Sequence, residues 1–172
     1  MRSGLRAALL DYDGKAVSHL SETGVRFAQD PEYLADLVAL SADPEAHIAD
    51  GATWLIKDHL ETGGTLAADL VAPWLHGLKT SASWAALLHI LQSARFLDLA
   101  EITDGAVFAA ILRLAGHERP FLRAWATDAY WRAAQAHPDL RSRAEDLVEK
   151  ASNDPAASVR ARARNIEKEM SR

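Results

Sequence analysis

The chain has 172 residues, no cysteine, and a net charge of −5 from 19 basic and 24 acidic side chains. That length fits one domain. The missing cysteine excludes disulfides, thiolate catalysis and thiolate metal sites, and the acidic balance supplies no field to gather phosphate backbones.

With 34 Ala and 23 Leu against 7 Val and 6 Ile, the composition favours residues that lose little entropy in helices over those that suit strands. The opening stretch has only Ala7 to Leu10 before Asp11, too short for a secretion signal or membrane span, so the expected location is the cytoplasm. Residues 1–29, with Leu5, Leu9, Val17, Leu20 and Phe27, read as a degenerate helix pair capping one end of an array.

From residue 30 onward the chain is punctuated at Asp30-Pro31, Asp43-Pro44, Gly63-Gly64, Thr80-Ser81, Gly116 with Pro120, His137-Pro138 and Asp154-Pro155. Pro fits the first turn of a helix and a preceding Asp or Ser can cap it, so these points delimit helices. Leu37 and Val38, Leu70 and Val71, Ile111 and Leu112, and Leu147 and Val148 mark the first helix of four successive pairs. Second helices carry an anchor followed at offsets four and seven by small or apolar residues: Ile48, Ala52, Leu55; Trp84, Leu88, Leu91; Leu122, Ala126, Ala129; Val159, Ala163, Ile166. Those offsets put each set on one helical stripe, and the anchors fall 36, 38 and 37 residues apart. Pro73 lies inside the helix expected from Thr65 to Leu78, where ring clash and a lost hydrogen bond cost about 3 kcal/mol and predict a kink.

The segment Asp154-Pro155-Ala156-Ala157-Ser158-Val159-Arg160-Ala161-Arg162-Ala163 resembles the HEAT-repeat consensus, in which a turn Asp precedes a Val-Arg-x-x-Ala helix start. Leu122-Arg123-Ala124-Trp125-Ala126 resembles it too. The other units depart from it, with Ala49 after Ile48 and Ala85 after Trp84 where the family has its Arg. The resemblance covers roughly residues 30–172. It implies an all-α, right-handed α-solenoid of about four to five antiparallel helix pairs: one domain over 1–172, with the cap at 1–29 and four pairs over 30–172. In such arrays the second helices line a concave surface.

On this frame, offsets two, five and nine form a ladder of Asp50, Thr53 and Lys57, then Ala86, His89 and Ser93, then Ala124, Thr127 and Trp131, and lastly Ala161, Arg164 and Lys168. The expected binding residues are therefore Asp50, Thr53, Lys57, His89, Thr127, Trp131, Arg164 and Lys168. Trp131 stands in an otherwise polar column, which leaves it either an exposed binding residue or a buried fit. Trp84 and Trp125 read as packing residues.

No motif carries chemistry. Leu9-Leu10-Asp11-Tyr12-Asp13-Gly14 superficially resembles the first motif of haloacid-dehalogenase-type phosphatases, but no segment reads as the strand that motif needs, and a helix end with Gly punctuation accounts for it. The seven histidines are scattered with no pair three or four apart, so no metal site is expected, and no cofactor loop occurs. Lys57-Asp58-His59-Leu60-Glu61 diverges around its helix and reads as a solvated face.

The expectation is a non-catalytic scaffold, not an enzyme, that binds another protein or peptide along its concave face. No membrane is involved, and nucleic acid is not the default partner. Two alternatives stand beside it. HEAT-like repeats also build alkylpurine DNA glycosylases, to which Trp125, Asp128, Trp131 and Arg132 offer a superficial parallel; the other alternative is a self-associating structural module.

Overall fold

Segments rich in Ala and Leu between Pro and Gly breaks have little choice but helix, and that is how the chain folds. The computed structural model describes residues 2–171 and, among these, contains ten α-helices and no strand. They are α1 (Arg2–Leu10), α2 (Val17–Phe27), α3 (Tyr33–Leu40), α4 (Ala46–Glu61), α5 (Ala68–Thr80), α6 (Trp84–Ser93), α7 (Gly105–Leu114), α8 (Pro120–Ala136), α9 (Arg141–Ser152) and α10 (Ala157–Met170). Short 3-10 turns follow α6 at Ala94–Phe96 and precede α9 at Pro138–Leu140. No helix among the described residues is long and apolar enough to cross a membrane.

Every expected punctuation point lies at or between helix ends. Gly63 shows why: with φ +94° it takes the left-handed conformation open to glycine, and Gly64 N–H returns to His59 O at 2.9 Å, closing α4. Pro73 sits at the sixth position of α5, which begins at Ala68 and not at Thr65, and the helix continues through it to Thr80.

The chain forms two compact units, one running to Phe96 and the other beginning at Leu97. In the first unit α3 packs on α4, α5 on α6, and α4 on α6, while α1 and α2 close against α4. Its core holds Leu5, Leu9, Leu20, Leu37, Ile48, Ile56, Trp74 and Ile90, all under 2% exposed. In the second unit α7 packs on α8, α9 on α10, and α8 on α10, around Ile111, Leu122, Val148, Val159 and Ile166.

One anchor is misplaced by the sequence pattern. Ile48, Leu122 and Val159 are each the third residue of their helix and are buried, whereas Trp84 is the first residue of α6 and is 46% exposed. Ser83 caps α6, its Oγ accepting from Ala86 N–H at 3.4 Å, so the helix starts two residues later than the apolar pattern suggests. The third residue of α6 is Ala86, and it and Ile90, four positions on, are both fully buried. Ala86 is thus the structural counterpart of Ile48, and Trp84 is left at the helix mouth.

A candidate binding cavity in the first unit

The ladder expected to line a binding face is mostly turned inward. Thr53 and Ser93 are fully buried, Thr127 and Trp131 are 3% exposed, and Asp50, Lys57 and His89 are half-buried. Only Arg164 and Lys168 on α10 are exposed. Their neighbours explain the inward turn. Thr53 gives its hydroxyl proton to Ala49 O at 2.9 Å and lies 2.9 Å from His89 Nδ1. Burial, with a smaller contribution from Lys57, pushes His89 down to about 4. Lys57 pairs with Glu61 at 2.7 Å along the surface of α4. Trp131 lies beneath Arg141, whose guanidinium carbon is 4.7 Å from the ring centroid, so offset nine in α8 points at the start of α9. Trp131 is a core residue, not an exposed anchor.

The group Trp125, Asp128 and Arg132 is likewise committed to structure. Asp128 is 1% exposed and stands between Arg132, at 3.5 Å, and Arg162, at 3.7 Å. Arg132 reaches on to Glu169 at 2.6 Å. Arg162 covers the Trp125 ring at 3.7 Å from its centroid, a stacked cation holding α10 to α8. At the other end of the chain, Asp13 Oδ1 accepts from Lys15 N–H and Ala16 N–H at 2.8 and 2.7 Å, so the Asp-Tyr-Asp-Gly segment is a turn between α1 and α2. No group of three or more His, Asp or Glu side chains converges as a metal site would require, among the described residues.

A concave feature of the first unit lies elsewhere, at the turns that lead into α4 and α6. A cavity of about 460 Å³ is lined by residues of the turn before α4, among them Asp43 and Pro44, by Ala46, Ala49 and Asp50 of α4, and by Thr80, Ser81, Ser83 and Trp84. That volume is within the range of small-ligand or side-chain sites, roughly 300–1,000 Å³. Alanines keep its floor open, Trp84 supplies an aromatic wall, and two carboxylates supply charge. Arg6 answers Asp43 with a bidentate pair at 2.8 and 3.1 Å. It holds the Asp43 carboxyl below the usual carboxylate range, chiefly through that hydrogen bond. Asp50 accepts a hydrogen bond from Ser83 Oγ and has no ion pair among the described residues. Its charge is felt nearby, adding to burial in raising Tyr12 above the ordinary phenol value.

Of the expected binding residues, only Asp50 belongs to this cavity. Trp84 was hidden from sequence reading because the apolar pattern absorbed it as an anchor. The signal that could have found the site was Ala49, standing where the consensus has arginine. Comparison with protein-family models, curated proteins and solved structures gives no match to this chain.

Proposed function

We propose that this chain is a non-catalytic protein-binding module built as a HEAT-like, right-handed array of about four to five antiparallel helix pairs, and that it engages a segment of a partner polypeptide through the cavity before α4 and α6. Three observations support the repeat reading. Second helices pack on second helices within each unit, α4 on α6 and α8 on α10; buried residues recur at the third position of each; and Arg123 of one consensus-like segment grips the turn residue Asp154 of the next, bidentate at 2.8 and 2.9 Å.

The observation that carries the binding reading is Trp84, a large ring left 46% exposed at the edge of a cavity that also holds Asp50, a carboxylate with no ion pair among the described residues. Half-exposed aromatics in concave settings are the residues that anchor partners. Selection of random peptides displayed on phage, followed by calorimetry on the enriched sequences, tests it. Replacement of Trp84 by Ala is expected to weaken the enriched peptides by roughly tenfold or more. Peptides that bind the Trp84→Ala protein as well as wild type, or a selection that enriches nothing, would remove this proposal.

A further inference from the structure

In the second unit, the turn before each second helix is tied down by an arginine at the helix's fourth position. Arg123 of α8 donates from Nη1 to the carbonyls of His117 and Glu118, both at 2.9 Å. Arg160 of α10 does the same to Asp154 O and Pro155 O at 2.7 and 2.8 Å. Arg123 uses its other nitrogens to grip the carboxylate of Asp154, the third residue before α10. The space around that clamp is small, a cavity of about 120 Å³ lined by Ala115, Gly116, Arg123 and Asp154 among others.

In α4 this clamp is missing among the described residues. The fourth residue of α4 is Ala49, and the third residue before α6, matching Asp154, is Ser81. The carbonyls corresponding to the arginine's acceptors are those of Asp43 and Pro44, and neither receives a hydrogen bond among the described residues. Ser41 and Ala42 match Ala115 and Gly116. All six residues line the 460 Å³ cavity. Both members of the ion pair have thus given way to small side chains at one place, while the backbone acceptors that would receive a guanidinium remain.

We propose that this cavity is a receptor for an arginine side chain from a partner polypeptide, which takes the place that Arg123 and Arg160 fill from within their own helices. The inference rests on the protein-binding reading above and names the chemistry of its partner. The charge is right: among the described residues Asp50 has no ion pair, Asp43 is already satisfied by Arg6, and no Lys or Arg lines the cavity. The shape of the donor is right as well. A guanidinium presents several N–H groups in a plane, enough to reach two carbonyls and a carboxylate together while its face lies against an aromatic wall such as Trp84. A lysine ammonium lacks that fork.

The test is titration of the whole chain with N-acetyl-arginine methylamide, followed by nuclear magnetic resonance, beside the lysine and citrulline analogues. The arginine probe is expected to bind saturably, and citrulline, uncharged but similar in shape, at least about tenfold more weakly. Asp50→Asn is expected to weaken the arginine probe by a similar factor. Ala49→Arg should abolish binding and raise the thermal midpoint, because the chain then fills its own cavity. Glu149→Gln on the exposed surface of α9, which has no part in the cavity, should change nothing.

No binding of the arginine probe, or equal binding by wild type, Ala49→Arg and Asp50→Asn, overturns the inference. If Ala49→Arg does not fold, Asp50→Asn and Trp84→Ala decide it alone. Displayed peptides that need Trp84 yet carry no arginine and ignore Asp50→Asn would leave the binding module standing and the arginine receptor refuted. Saturable arginine binding with no peptide ever selected would leave a guanidinium site in the cavity but overturn the polypeptide partner in both readings.

Discussion

The pair Arg123–Asp154 shows how much one side chain organises in this molecule. The carboxylate accepts two guanidinium bonds and the N–H of Ala156 at 2.8 Å, and those bonds, with Arg123's hydrogen bond first among them, hold Asp154 below its ordinary value. Replacing Asp154 by Ala strands Arg123 in a largely covered setting, and a loss of about 2–3 kcal/mol in chemical denaturation is expected. His89 provides a pH test. Below about 6.5 the unfolded chain takes up a proton that the folded His89 refuses until about pH 4. The stability His89 contributes is therefore complete above pH 6.5 and falls as the pH drops through that window, by at most about 1.4 kcal/mol per pH unit. Denaturation of wild type and His89→Gln at pH 7 and pH 5 should show the smaller pH effect in the variant; equal slopes would count against a buried neutral imidazole. At this scale the sequence was legible where a residue type had one use, as with Gly63 and Pro155 at breaks between helices. It left Trp131 undecided between an exposed and a buried place, because a polar column at offset nine says nothing about which neighbouring helix the column faces. There the stacking of Arg141 on the ring decides.

Helices announce their ends more clearly than their faces. Pro, Gly and Asp-Pro signals located the helix boundaries because capping and φ restrictions act within a few residues. The start of α6 was not legible, since Trp84 fits the apolar spacing as well as Ala86 does and only the cap at Ser83 separates them. Ser83→Ala removes both that cap and the hydrogen bond to Asp50, and a destabilisation of about 1 kcal/mol is expected by thermal melting. A variant as stable as wild type would mean that α6 starts without help from Ser83. The stretch from Leu97 to Asp104 also escaped the pattern. It has no helix, yet it buries Leu99 and Ile102 and lends Leu99 O to His137 Nε2 at 2.8 Å, a contact 38 residues distant that no local signal encodes.

For the molecule as a whole, composition read the class correctly, and the all-helical outcome follows from so many Ala and Leu with so few β-branched residues. The charge balance adds a further expectation. With a net charge of −5, association with an arginine-bearing peptide should be hastened at low ionic strength and slowed once salt shortens the screening length to about 8 Å near physiological conditions. Stopped-flow rates across a salt series measure this, and a rate indifferent to salt would show that charge plays no part in the encounter. The position of Trp84 brings a practical gift to all such work. Of the five tryptophans, Trp74 and Trp131 are buried, Trp54 and Trp125 are half-covered, and only Trp84 stands open to solvent. Its emission should be the one reddened by water and dimmed by a soluble quencher such as acrylamide, so the protein carries its own optical gauge at the mouth of the cavity, lit by ultraviolet light without any attached dye.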